Sequence, residues 1–115
     1  PTTANTLAYA CWKTIILKNK GEKLPPIMHF TNSGAASWYD IAISIDEIGK
    51  ELNLLDETNI IIPIETKEYK SAAKRPNYSV LNSFESFDKL SIKPIYWREA
   101  LKKVLLELKN LTIKN

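Results

Sequence analysis

A chain of 115 residues with 44% hydrophobic and 25% charged side chains has the make-up of one small globular domain rather than a disordered segment. Its net charge of +3 comes from 14 Lys and two Arg dispersed among 13 acids, the pattern of a solvated surface, which argues against nucleic-acid binding. A single cysteine, Cys11, and a single histidine, His29, exclude an intrachain disulfide and a zinc site, and no run approaches the roughly 18 apolar residues of a membrane span.

The free thiol points to a reducing compartment, and the N-terminus lacks the basic-then-apolar order of a signal peptide. Pro1 in place of an initiator Met suggests truncation.

The first segment repeats Ala8, Cys11, Trp12 and Ile15 at helical spacing, with Thr2 or Thr3 as cap and Gly21 as stop. Pro25 and Pro26 forbid helix and lead into residues 27–30, a short apolar run that reads as a buried strand ending in the turn 31–34. The second helix carries Trp38, Ile41, Ala42, Ile45, Ile48 and Leu52 on one stripe, and Ser37 with Asp40 three residues on predicts a capping box.

Beyond the acidic loop at Asp56 and Glu57, residues 59–65 (NIIIPIE) are β-branched and read as a strand, with Pro63 at an edge or end. Residues 65–79 show no period and read as a long ordered loop. Residues 82–90 predict a short helix capped by Asn82 or Ser83 and anchored by Phe84 and Phe87. A last helix after Pro94 buries Trp97, Leu101, Val104, Leu105 and Leu108. Trp38 and Trp97 are both expected in the core. The alternation predicts an α/β fold, about four helices with a few short, mostly parallel strands, as one domain over residues 1–115.

The chemistry of a cofactor site is missing from this pattern. Pyrophosphate needs a glycine-rich turn between strand and helix, and Gly21, Gly34 and Gly49 are too far apart to make one. Tyr9 and Lys13 have the Tyr-x-x-x-Lys spacing, yet five Tyr and 14 Lys give such a pair by chance, so Tyr9 reads as packing and Lys13 as solvated. His29 reads as structural or as a pocket edge. The acid pairs, Asp46 with Glu47 and Glu65 with Glu68 among them, lack a third ligand and read as solvated.

Three stretches carry information: residues 31–40 (TNSGAASWYD), 64–81 (IETKEYKSAAKRPNYSVL) and 96–101 (YWREAL). In this order they resemble the C-terminal part of the dTDP-4-dehydrorhamnose reductases, extended short-chain dehydrogenases. The family's Y-H-F-T-G-S-G followed by S-W-Y-x-F-A appears as Met28 to Gly34 and Ser37 to Ala42. Its P-I-x-T-x-E-Y and A-x-R-P-x-x-S-x-L match Pro63 to Tyr69 and Ala73 to Leu81, and its closing W-R-E-A-L matches Trp97 to Leu101. Pro1-Thr2-Thr3 and Leu7-Ala8 are similar to the family's G-x-P-T segment and the helix after it. Asn32 stands for a common glycine, Thr6 for an acid and Lys70 for a proline.

The resemblance implies the substrate-binding portion of a cytoplasmic reductase that uses NADPH to turn dTDP-4-dehydro-L-rhamnose into dTDP-L-rhamnose. Its N-terminal Rossmann domain, with the NADPH site and catalytic residues, would be absent here and this piece alone inactive. A homodimer is possible for the full-length enzyme. It also implies substrate contacts at Arg75, Asn77 and Ser79. A guanidinium suits a diphosphate through two parallel hydrogen bonds, while an anchoring pair with an acid such as Asp40 is the structural alternative for Arg75. Trp38 and Trp97 lie on apolar stripes rather than in the site. Two other readings stay open: a regulatory module similar to the β subunit of methionine adenosyltransferase, and a reductase for a different nucleotide sugar.

Overall fold

The structure is a computed structural model that describes residues 1–56, 59–70, 72–73 and 76–112. Thr3 opens it: with an extended backbone it accepts from Thr6 N at 3.3 Å through its hydroxyl, and helix α1 runs Ala4–Asn19 behind this cap. The glycine ends the helix as expected. Gly21 has φ +82°, its N–H donates to Lys18 O and that of Glu22 to Leu17 O, the two bonds of a Schellman motif.

Helix α2 (Trp38–Glu51) starts with the expected box, in which Ser37 Oγ accepts from Asp40 N at 3.1 Å and Asp40 Oδ2 from Ser37 N at 2.7 Å. Helix α3 (Phe84–Leu90) has Ser83 at its N-cap with no side-chain bond to the helix; Asn82, one residue earlier, accepts from Phe84 N at 3.1 Å through its Oδ1, and the helix stops at Ser91 in the left-handed region. Helix α4 is Trp97–Thr112.

The helices pack as two pairs, α1 on α3 and α2 on α4. Between the first pair Ala10, Leu90 and Ile92 form a small core, backed by Leu17, Met28, Phe30 and Phe87, with the rings of Phe30 and Phe87 edge to face at 5.4 Å. Ile48, Leu52, Trp97 and Ala100 are buried in the second half. There Arg98 spans the helices, donating to Ser44 Oγ at 2.5 Å and Glu47 Oε2 at 2.6 Å, beside a Lys102 to Glu51 pair.

The α/β expectation is wrong: four helices and no strand are present among the described residues. Residues 27–30 and 59–65 have strand-like composition, but a strand exists only where another backbone accepts its hydrogen bonds. The parallel bridge between Ser33 and Tyr96 is the one β pairing among the described residues. Residues 59–65 therefore lie on the surface, with Ile60 89% exposed.

Packing expectations also fail, among them Leu108, expected to be buried on α4 and 50% exposed. Ala8, Cys11, Trp12 and Ile15 do share a face of α1, but it is the exposed face, with Trp12 60% open to solvent; Ala10 and Leu17, on the other side, do the packing. Trp38 is 78% exposed, not core, whereas Trp97 is buried as expected at 5%. Phe84 is exposed too, and α3 is anchored by Phe87 together with Leu90. Surface apolar groups on this scale fit a radius of gyration of 17.3 Å, against about 13 Å for a compact domain of this length.

The capping box carries a pH dependence. Hydrogen bonds to its carboxylate, first from Ser37 N–H and then from Ser37 hydroxyl, hold the Asp40 pKa below the ordinary value, and the Lys50 ammonium does the same for Asp46. A depressed folded pKa means stabilisation that is complete above the unfolded carboxylate pKa and is lost as pH falls through the folded one. Helicity measured by circular dichroism should therefore hold from pH 7 to about 5 and drop below about 4. Asp40→Asn should flatten part of that drop, and an unchanged acid profile in that variant would remove Asp40 as a contributor.

Candidate substrate-side site

The turn at 31–34 is where distant parts of the chain meet. Ser33 N donates to Ile95 O at 2.8 Å and Trp97 N to Ser33 O at 3.0 Å, which fastens the first motif to the last. Gly34, at φ +91°, lies so close to the rings behind it that a Cβ there would sit 2.6 Å from Tyr96 Cε2 and 2.9 Å from Trp97 Cδ1. Thr31 and Ser83 share a hydrogen bond at 3.2 Å, tying the turn to the start of α3.

Asn32 is the hub. It is 2% exposed, its Oδ1 accepts from Thr3 N at 3.0 Å, its Nδ2 reaches Ile95 O at 3.5 Å, and its own N–H reaches Thr2 Oγ1 at 3.4 Å. The starts of α1 and α4 are thereby held around one side chain, and the neighbouring Thr31 ties in the start of α3. A sequence reading that saw only a turn at this position missed it. The available signal was a departure from pattern, an amide where the resembled family has glycine.

Two open grooves flank the junction. One, between α2 and α4, is walled by Tyr39, Asp40, Ser44, Tyr96, Trp97 and Arg98. The Trp97 Nε1 beside it is buried without a hydrogen-bond partner among the described residues. The other lies between α1 and α4 and includes Thr6, Tyr9, Lys93, Lys103 and Glu107, with Asn5 Nδ2 donating to Glu107 at 3.2 Å.

Of the expected substrate contacts, Arg75 lies outside the described residues, while Asn77 and Ser79 are exposed on the surface segment that precedes α3. Asn77 and Ser79 are thus not gathered into the junction that joins the other two motifs. His29 is exposed. Lys13 Nζ sits 5.9 Å over the Tyr9 ring, a cation–π contact with the face of the ring, and Tyr9 is about half exposed instead of packed. Glu65 and Glu68 are solvated as expected, Glu68 closing a turn onto Glu65 N. Among the described residues no group of three His, Cys, Asp or Glu could hold a metal.

None of the three glycines forms a phosphate-cradling turn between a strand and a helix among the described residues. The space a cofactor backbone contact needs at a glycine is filled at Gly34 by Tyr96 and Trp97 and at Gly49 by Leu55, and Gly21 is spent on a helix stop.

What the junction organises is a binding domain. A family model described as RmlD substrate binding domain matches residues 1–110, and the chain belongs to that family. Over 84 residues it is 42% identical to the spore coat polysaccharide biosynthesis protein SpsK of Bacillus subtilis (strain 168), covering 72% of this chain and 27% of that protein. It is 35% identical over 78 residues to the dTDP-4-dehydrorhamnose reductase of Aggregatibacter actinomycetemcomitans, covering 68% and 26%. With the reductase of Escherichia coli (strain K12) it shares 26% identity over 108 residues, 94% of this chain and 36% of that one. The chain thus spans about a quarter to a third of the length of these relatives. No solved structure matches.

Proposed function

We propose that this chain is the substrate-side part of an NADPH-dependent reductase that converts dTDP-4-dehydro-L-rhamnose to dTDP-L-rhamnose. The observation that carries this reading is the family match over residues 1–110, joined to relatives that bear the reductase name. NADPH and the catalytic groups would belong to a Rossmann portion of the polypeptide outside these 115 residues. The enzyme would work in the cytoplasm.

On this reading the chain contributes binding and orientation. Arg75 would hold the diphosphate of the dTDP-sugar by paired charge-assisted hydrogen bonds, with Asn77 and Ser79 donating nearby. Exposure of Asn77 and Ser79 leaves both free to meet a ligand.

The test is NADPH oxidation by the longer polypeptide with dTDP-4-dehydro-L-rhamnose, in wild type and Arg75→Ala. Loss of a charge-assisted pair worth about 1.5 to 3 kcal/mol raises KM by about ten- to a hundredfold, with kcat changed less. An intact wild type that oxidises no NADPH would sink the reductase reading, and an unchanged KM in the variant would sink the role of Arg75. The 115-residue chain by itself should show no turnover.

A further inference from the structure

Trp97 carries an unmet donor. The residue is 5% exposed, and its Nε1–H is buried without a partner among the described residues, a state that an arriving acceptor relieves. The edge of the indole that carries this N–H faces the turn at Gly34. A Cβ on that glycine would stand 2.9 Å from Trp97 Cδ1, the atom bonded to Nε1, and 2.6 Å from the Tyr96 ring. Tyr96 packs on the indole at 5.7 Å between centroids but is 46% exposed, so it is the cover that can turn aside.

Around this donor the open groove between α2 and α4 presents two tyrosine rings, Tyr39 and Tyr96, and one carboxylate, Asp40. Arg98, on the same wall, donates to Ser44 and Glu47, so its charge is already met and does not call for an anion. From this arrangement we infer that the groove docks a proline-rich segment of a partner protein, with a basic residue beside the prolines.

Three features select this occupant. The buried group is a donor and needs only an acceptor, and a polyproline II backbone offers carbonyls with no internal hydrogen bonds while proline brings no N–H of its own. Tyrosine rings flanking an indole are the surface on which pyrrolidine rings pack in aromatic-lined peptide grooves. Asp40 has no cationic partner among the described residues and complements a lysine or arginine on the segment. An open groove also suits an extended chain, whereas a small ligand buries most of its surface in a cleft. The inference does not depend on the reductase reading.

The test titrates the isotope-labelled chain with a synthetic oligoproline peptide ending in arginine and follows the indole N–H signals by NMR, that of Trp97 being assigned by its loss in Trp97→Phe. The Trp97 signal should move downfield and saturate while that of exposed Trp12 stays in place, and a peptide with alanine for every proline should leave both unmoved. Tyr39→Ala should weaken binding about two- to tenfold, the range of one aromatic contact. Asp40→Asn should remove the preference for a peptide ending in arginine over one ending in glycine. A Trp97 signal that does not move, or one that drifts with Trp12 and never saturates, would overturn the inference. So would a saturable shift with methyl α-L-rhamnopyranoside and none with the peptide, because the groove would then take a sugar.

Discussion

Gly34→Ala should destabilise the fold by about 2 to 5 kcal/mol. Two costs add. A left-handed backbone at φ +91° strains any residue with a Cβ, by about 1 to 2 kcal/mol. The new methyl would also have to occupy space 2.6 Å from the Tyr96 ring and 2.9 Å from Trp97. Tyr96 is half exposed and could swing, but Trp97 is buried and its ring is fixed by packing, so overpacking adds about 1 to 3 kcal/mol. Gly21→Ala separates the terms, because Gly21 has φ +82° with nothing within 4 Å of its notional Cβ. It should lose only the strain. Urea unfolding of the two variants reads the difference directly, and equal losses would mean that no close approach exists at Gly34.

Asn32→Ala should cost about 2 to 3 kcal/mol. The amide is buried, so truncation removes the acceptor of Thr3 N–H and leaves that donor to find water at the start of α1. Ile95 O loses less, since it keeps its stronger bond from Ser33 N. A small void adds to the cost. The backbone N–H of Thr3 should exchange faster in the variant than in the wild type while the middle of α2 is unchanged. A loss under about 0.5 kcal/mol would show that Asn32 fills space without joining the helix starts. Asn32→Gly, the residue of the resembled family, should cost about as much, because it deletes the same acceptor.

The family was legible in the sequence because motif order is a property of the chain alone, and residues 1–110 carry the match. The site was legible only in part. Arg75 lies outside the described residues, and nothing in the spacing of Ser33 and Tyr96 shows that their backbones pair across 63 positions. The bond from Arg98 to Ser44 is equally invisible, since it depends on how α2 and α4 are set against each other.

The sequence by itself determined the ends of the helices: Thr3, the Ser37 and Asp40 box, and Gly21 act on backbone groups within a few positions, so local chemistry suffices. Tertiary structure decided which apolar groups are inside. Trp38 and Trp97 look alike on their helical stripes, yet one is exposed and the other buried. The apolar run at 59–65 has the composition of a strand and pairs with no backbone among the described residues. Burial and β pairing both need a second surface, and periodicity records only the first.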